Sequence, residues 1–118
     1  MLVVEDEHDI ATFMRAYFRA SGTEVVHVDP TSPADVAKAV ETHTPTCVLL
    51  DLNLRGFNGL AAYRELRAAG VRTPVIVVTA DPNPALRRTA LHEGVAAVVR
   101  KPFSVRELYA LVMAQTGD

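Results

Sequence analysis

The sequence has very little cysteine and no tryptophan, and its single thiol is Cys47. One thiol cannot form an internal disulfide. Because Cys47 lies within an apolar run, we expect it to be a small core residue in a reducing compartment. No stretch approaches the roughly 18 consecutive apolar residues that would cross a bilayer. Acidic residues, Glu5 and Asp6 among them, occupy the region where a secretory signal needs apolar side chains. We therefore expect a cytoplasmic protein.

Excess charge of either sign is also missing. The chain has 12 basic and 14 acidic residues, with a formal net charge of −2. This balance gives no electrostatic reason to expect direct nucleic-acid binding. Its 118 residues, 49% of them hydrophobic, fit one domain over residues 1–118. A domain of that size buries about two thirds of its unfolded surface.

Short apolar runs alternate with segments of helical periodicity along the chain. The runs at 2–4, 47–50, 75–78 and 95–99, with a weaker one at 24–28, predict five strands. Each is followed by an amphipathic segment, and Ser32 and Asn83 stand just before prolines as predicted helix caps. Five strands alternating with five helices indicate an α/β fold, a doubly wound parallel sheet with helices on both faces.

Polar side chains follow these strands at the points where the strands end. Glu5 and Asp6 follow the first run, Asp51 the third, Thr79 ends the fourth and Lys101 comes after the fifth. Because open α/β sheets bind ligands at the carboxyl edge, we expect these residues to share a pocket. Carboxylates repel one another unless a cation lies among them, and hard oxygen ligands favour Mg²⁺. A lysine and a hydroxyl suit a transferring phosphoryl group, with Asp51 as a candidate nucleophile.

Each residue taken singly has a simpler interpretation. Asp51 could be a turn former, Glu5 and Asp6 a solvated helix start, Thr79 a strand-end cap and Lys101 a surface ammonium. Taken one at a time, the simpler interpretations apply more often than the functional ones. Their joint occurrence at the ends of the right strands is much less expected by chance.

Four segments at these separations make the sequence resemble the receiver domain of two-component response regulators. They are Leu2–Asp6, Leu50–Asn53, Val78–Ala80 and Lys101–Phe103. The resemblance covers the whole chain and implies a flavodoxin-like sheet with strand order 2-1-3-4-5. It also implies a phosphoacceptor that a histidine kinase or phosphotransfer protein phosphorylates with Mg²⁺, which switches protein–protein contacts.

The resemblance implies a role for each polar residue at the sheet edge. Asp51 resembles the phosphoacceptor, and Thr79 and Lys101 resemble the pair that binds the phosphoryl oxygens. The implied Mg²⁺ ligands are Glu5, Asp6, Asp51 and, through its backbone carbonyl, Asn53. The Lys101–Pro102 bond is often cis in this family. No enzymatic activity is implied beyond self-catalysed phosphoryl transfer and autodephosphorylation.

The sequence departs from the family pattern near the fifth strand. Val98 stands where Tyr or Phe is common, and a stiff, short valine cannot make the inward swing of that aromatic residue. Ala96 and Ala97 stand where many relatives carry acids that form dimer salt bridges. Several arginines remain near that face: Arg87, Arg88, Arg100 and Arg106. Exposed ion pairs contribute little, so a homodimer through the helix 4–strand 5–helix 5 face stays open.

Two other functions stay open on the sequence alone. A receiver-like scaffold that signals without phosphate is favoured by Val98 and Ala97. A hydrolase of the haloacid-dehalogenase type also has an aspartate after an apolar strand, but it needs a second acid two residues later. Asn53 stands there, and an amide cannot act as that general acid. The sequence leaves no room for a DNA-binding domain, so we expect either action through protein contacts or an output domain beyond residue 118.

Overall fold

The strands of the main sheet run parallel in the order β2-β1-β3-β6-β7. The computed structural model describes residues 1–4, 8–20, 22–54 and 56–116. Within them the strands are β1 Leu2–Val4, β2 Val26–Val28, β3 Val48–Asp51, β4 Asn53–Leu54, β5 Phe57–Asn58, β6 Val75–Thr79 and β7 Ala97–Arg100. The fourth and fifth predicted strands are β6 and β7, so the predicted order 2-1-3-4-5 is confirmed.

Helices connect the strands and cover both faces of the sheet. They are α1 His8–Ala20, α2 Pro33–His43, α3 Gly59–Ala68, α4 Pro84–His92 and α5 Val105–Thr116. The predicted caps are confirmed: Ser32 Oγ accepts from Asp35 N at 3.3 Å, and Asn83 Oδ1 accepts from Ala85 N at 2.9 Å. None of the described helices is long and apolar enough to cross a membrane.

A two-stranded antiparallel ribbon, β4 with β5, follows β3 directly. Its turn contains Gly56 at φ +85°, a conformation that glycine adopts readily. Neither strand of the ribbon is among the five predicted from the sequence, because strands of two residues are too short to show an alternating pattern. In sequence, the ribbon lies between Asp51 and the start of α3.

Residues of each central strand alternate between two apolar clusters, one on each face of the sheet. Leu50 and Val77 pack with side chains of α2 and α3, whereas Leu49 and Ile76 pack with side chains of α1 and α5. This alternation follows from the two-residue period of a strand. Both faces are covered, which explains why the central strands read as continuous apolar runs.

Cys47 lies in the second of these clusters and is fully buried. Burial raises the pKa of its thiol to about 11, because the thiolate would lose its hydration. The expectation of a core cysteine is confirmed.

The bounds of two strands differ clearly from the prediction. β2 begins at Val26 rather than Glu24, and β7 spans Ala97–Arg100 rather than 95–99. Val95 N donates to Ala90 O, so this residue still belongs to the turn after α4. At its other end, β7 extends to Arg100, the residue just before Lys101.

Candidate functional site

Asp51 is the last residue of β3 and is 2% exposed. Both oxygens of its carboxylate have protein donors. Asn53 N donates to Oδ1 at 2.8 Å, and the Lys101 ammonium donates to Oδ2 at 2.8 Å. An isolated buried carboxylate would be strongly unfavourable, and the lysine compensates for its charge. A carboxylate has about four lone-pair positions, so these two bonds leave acceptor capacity unused.

Thr79 ends the neighbouring strand, β6, and is 3% exposed. Its hydroxyl oxygen accepts from Asp81 N at 3.0 Å and from the Asn53 side-chain amide at 3.4 Å. Asn53 therefore donates hydrogen bonds to both residues, to Asp51 from its backbone N and to Thr79 from its side-chain amide. The structure brings these three residues together at one edge of the sheet.

Lys101 reaches this edge from the end of β7. Its backbone N donates to Thr79 O at 2.8 Å, which extends the pairing of β7 with β6 by one residue. Its side chain is 16% exposed and forms the ion pair with Asp51. The Lys101–Pro102 peptide bond is cis.

Gly59 is a residue of this region whose importance the sequence did not show. A Cβ at this position would lie 2.2 Å from the Asp51 carbonyl oxygen and 2.9 Å from Leu52 Cα. Gly59 N donates to Leu52 O at 3.0 Å, and Asn58 Oδ1 caps α3 by accepting from Leu60 N. The start of α3 is thus packed directly against the backbone of Asp51. Sequence analysis cannot identify such a role, because a contact between backbones leaves no signal in the pattern of residues.

The predicted metal ligands fall into two groups. Asp51 and Asn53 lie at the sheet edge described above, whereas Glu5 and Asp6 lie outside the described residues. Among the residues that are described, no three His, Cys, Asp or Glu side chains are close enough to hold a metal ion. The Asp51 carboxylate is a hard oxygen ligand of the kind that Mg²⁺ prefers.

β1 ends beside β3 at this edge. Val4, the last described residue of β1, is the register partner of Leu50, which directly precedes Asp51. β1 therefore ends opposite the residue that precedes Asp51 in β3. This placement follows from the parallel pairing of the two strands.

Val98 lies in β7 opposite Val77 and is half-buried. Beside it a cavity of about 170 Å³ is also lined by Thr79, Arg87 and Arg100. Val98 therefore shares this cavity with Thr79, one of the predicted site residues.

The fold and this edge of the sheet agree with one protein family. The model of the response regulator receiver domain matches residues 1–113, and the chain belongs to this family. The resemblance expected from the sequence is therefore confirmed. Receiver domains of this kind serve in two-component signalling.

Particular relatives include two longer regulators. The chain is 35% identical over 116 residues to the DNA-binding response regulator MtrA of Mycolicibacterium smegmatis, covering 98% of this chain and 49% of that protein. It is 31% identical over 114 residues to the alkaline phosphatase synthesis transcriptional regulatory protein PhoP of Bacillus subtilis, covering 97% and 47%. The chain thus spans about half the length of these relatives. DNA binding is said of the longer MtrA protein.

Solved receiver domains have the same fold. The signal receiver domain of a putative LuxO repressor from Vibrio parahaemolyticus superposes with a TM-score of 0.89 at 23% identity, covering 98% of this chain and 87% of that one. The receiver domain of a sensor histidine kinase from Pseudomonas aeruginosa gives 0.82 at 29% identity, covering 99% and 96%. That second domain holds a magnesium ion in its active-site cleft.

Proposed function

We propose that this chain is the phosphoacceptor receiver domain of a two-component response regulator, phosphorylated on Asp51. The donor is a histidine kinase or a phosphotransfer protein. Phosphorylation changes the contacts that the domain makes with a downstream protein or with an output domain of a longer chain. The domain itself does not bind nucleic acid, and it acts as a signalling switch rather than as an enzyme that turns over a substrate.

One observation carries this proposal: a buried carboxylate paired with a lysine at the carboxyl edge of the sheet. The Asp51–Lys101 contact of 2.8 Å joins residues that are 50 positions apart in sequence. The Thr79 hydroxyl lies at the end of the strand between them. A nucleophile, a cation and a hydroxyl at one place are the groups that phosphoryl transfer requires.

The proposed reaction is an in-line displacement at phosphorus. One Asp51 carboxylate oxygen attacks the phosphorus of a phosphohistidine and forms the P–O bond of an acyl phosphate. The P–N bond breaks, and the histidine nitrogen leaves with that electron pair. Lys101 and Thr79 then hold the phosphoryl oxygens by donating hydrogen bonds, which stabilises negative charge that grows in the transition state.

The predicted metal site belongs to the same proposal. Asp51 and the Asn53 backbone carbonyl, with Glu5 and Asp6, are the oxygen donors that we propose hold Mg²⁺. When bound, the ion would neutralise the charge that accumulates on the carboxylates and the phosphoryl oxygens. The relative from Pseudomonas aeruginosa with magnesium in its cleft supports this assignment.

Labelling with a small phosphodonor tests the proposal. Incubation with acetyl phosphate and Mg²⁺ should add one phosphate to the chain, measured by intact-protein mass spectrometry, and chelation with EDTA should prevent the addition. Asp51→Asn should remain unlabelled, because an amide is not a nucleophile of this kind. Glu41→Gln is the matched control, since it also exchanges a carboxylate for an amide but at an exposed position of α2. Full labelling of Asp51→Asn would overturn the assignment.

A second function is favoured by Val98 and Ala97. A scaffold could keep the receiver fold and signal without phosphate, because β7 lacks the residues that commonly report phosphorylation. Beryllofluoride, which mimics the acyl phosphate, separates the two functions. A change in partner binding on addition of beryllofluoride supports the switch, and equal binding with and without it supports the scaffold.

A further inference from the structure

A cavity of about 480 Å³ lies between the end of α2 and the end of α3. Its lining comes from residues 37–45 and 69–73, which precede β3 and β6 in the chain. Asp51 and Thr79 are the last residues of these two strands, so the cavity lies at the opposite edge of the sheet. It is therefore separate from the phosphoacceptor site proposed above.

Apolar side chains form most of the cavity lining. They are Ala37, Val40, Pro45, Ala69 and Val71. Val40 is 5% exposed and therefore lies at the floor of the cavity. Small-molecule sites typically have volumes of roughly 300 to 1,000 Å³ and are lined mainly by such side chains, with a few polar groups that orient the ligand. The floor of this cavity therefore suits an apolar group of a small molecule.

Hydrogen bonds hold both walls of the cavity in place. The Arg67 guanidinium donates to Val71 O at 2.7 Å and to Thr73 O at 3.2 Å, which fixes the loop after α3. On the other wall, Thr44 N donates to Val40 O at 2.9 Å and closes the end of α2. The cavity is therefore preformed, as small-molecule sites usually are.

Two side chains of opposite charge stand on the two walls. Glu41 belongs to α2 and Arg72 to the loop after α3, and both are exposed. Within the part of the chain that the structure describes, neither side chain has an ion-pair or hydrogen-bond partner. The other polar lining residues are the uncharged Thr44 and Thr73. A ligand with one carboxylate for the guanidinium and one ammonium for Glu41 therefore complements the mouth of the cavity.

The charged mouth and the apolar floor together describe a small zwitterion. An α-amino acid carries its ammonium, its carboxylate and its side chain on one carbon atom. Its charged groups can bridge Glu41 and Arg72 while its side chain enters toward Val40. A polar side chain would lose its hydration at that floor, because valine side chains offer no hydrogen bond in exchange. The side chain of the ligand must therefore be apolar.

Macromolecular occupants fit this cavity less well. Two copies of the chain related by a twofold axis would place one concave surface against another and leave both cavities unfilled. A residue within a polypeptide has neither a free ammonium nor a free carboxylate on its α-carbon. A free amino acid is therefore the better occupant.

We propose that this cavity binds a free α-amino acid with an apolar side chain. The side chain lies between Val40 and Val71, the carboxylate pairs with Arg72 and the ammonium pairs with Glu41. This inference goes beyond the proposed function, because it assigns a second site at the other ends of β3 and β6. Its failure would leave the labelling of Asp51 unaffected, and failure of that labelling would leave amino-acid binding unaffected.

Titration of the isotope-labelled chain with L-leucine, followed by heteronuclear NMR at neutral pH and low ionic strength, tests the proposal. The backbone amide signals of Val40, Thr44 and Val71 should shift and reach saturation, because these residues surround the cavity. Signals of α5, which lies on the other face of the sheet, should stay unchanged. The absence of a saturable shift would overturn the proposal.

Three analogues are matched controls for the ligand. Alanine lacks most of the apolar side chain, leucinol lacks the carboxylate and isocaproate lacks the ammonium. We expect alanine to bind at least about tenfold more weakly than L-leucine, because it buries fewer carbon atoms. Leucinol and isocaproate should each bind about threefold more weakly, since exposed ion pairs contribute less than apolar burial. Equal affinity for L-leucine and any one of these analogues would contradict the proposal.

Variants of the chain assign each charge to its partner. Arg72→Gln should bind L-leucine and leucinol equally, and Glu41→Gln should bind L-leucine and isocaproate equally, because each variant lacks the group that discriminates. Ala69→Phe places a large side chain at an exposed position of the rim, so it should fold and prevent saturable binding. Arg88→Gln removes an exposed arginine outside the cavity and should bind like the unmodified chain. An Arg72→Gln variant that still preferred L-leucine over leucinol would contradict the carboxylate assignment.

The oligomeric state distinguishes a second copy of the chain from a small ligand. Sedimentation without amino acid should give the same mass for the unmodified chain and for Ala69→Phe. A dimer that this variant abolishes would assign the cavity to a second copy, and the proposal would then be wrong.

Discussion

A single methyl group at Gly59 would collide with the backbone of the proposed phosphoacceptor. We predict that Gly59→Ala lowers the free energy of unfolding by about 3 kcal/mol, because overpacking against a backbone that cannot move is strongly unfavourable. Urea denaturation measures this change. The same variant should also be labelled more slowly by acetyl phosphate, since Asp51 must shift to make room for a Cβ at 2.2 Å.

Gly70→Ala is the matched control for this prediction. Gly70 has φ +85°, and no described atom apart from its chain neighbours lies within 4 Å of the position that a Cβ would occupy there. Alanine at this position meets only the backbone strain of the left-handed region, about 1 to 2 kcal/mol. Its labelling by acetyl phosphate should stay normal. If both variants lost stability equally and were labelled equally, the contact at Gly59 would have no special role.

Between elements, the end of α4 is held to α3 by a group of polar contacts. Tyr63 OH donates to Glu93 O at 3.0 Å and accepts from Arg67 Nε at 3.0 Å. Arg64 forms a bidentate pair with the Glu93 carboxylate at 2.6 and 2.8 Å. These bonds lower the pKa of Glu93, because the guanidinium stabilises the charged form. They fix the turn from which β7 begins.

Removal of the tyrosine hydroxyl should therefore loosen this junction. We predict that Tyr63→Phe lowers the free energy of unfolding by about 1 to 2 kcal/mol, since it leaves the Glu93 carbonyl and the Arg67 guanidinium short of one partner. Tyr63 is 1% exposed, so water cannot easily replace the lost bond. Tyr17→Phe, at an exposed position, should change the stability little. Equal stability of both variants in urea would contradict this interpretation.

The elements also show how much of the structure could be predicted from the sequence. The strands that end in Asp51 and Thr79 could be predicted, because strands buried on both faces form apolar runs without polar interruptions. The rule that parallel strands end at one edge then placed these residues near Lys101. The ribbon β4–β5 could not be predicted, because two residues show no period. The sequence identified Val98 as short but could not show the cavity beside it, which depends on where Arg87 and Arg100 lie.

At the scale of the whole molecule, two apolar clusters share one sheet. Val36 on α2 belongs to one cluster and Val112 on α5 to the other, and both are almost fully buried. We predict that Val36→Ala and Val112→Ala each lower the free energy of unfolding by about 2 kcal/mol. The double variant should lose the sum within about 0.5 kcal/mol, because the two side chains lie on opposite faces and share no contact.

Urea unfolding followed by circular dichroism and by tyrosine fluorescence measures this additivity. Both probes should report one transition, as expected for a single domain of this size. Separate transitions for the two probes in either variant would show that the clusters unfold independently. In that case, the strands that the two clusters share would not couple the unfolding of one cluster to that of the other.

The hydrogen bond from Gly59 N to Leu52 O closes the base of the ribbon and fixes the distance between β3 and α3. At the tip, a Cβ added to Gly56 would have no described atom within 4 Å apart from its chain neighbours. Residues inserted at the tip would lengthen the ribbon without displacing the carboxylate at its base. The ribbon therefore offers a place where the surface of the domain can change while the position of Asp51 stays the same.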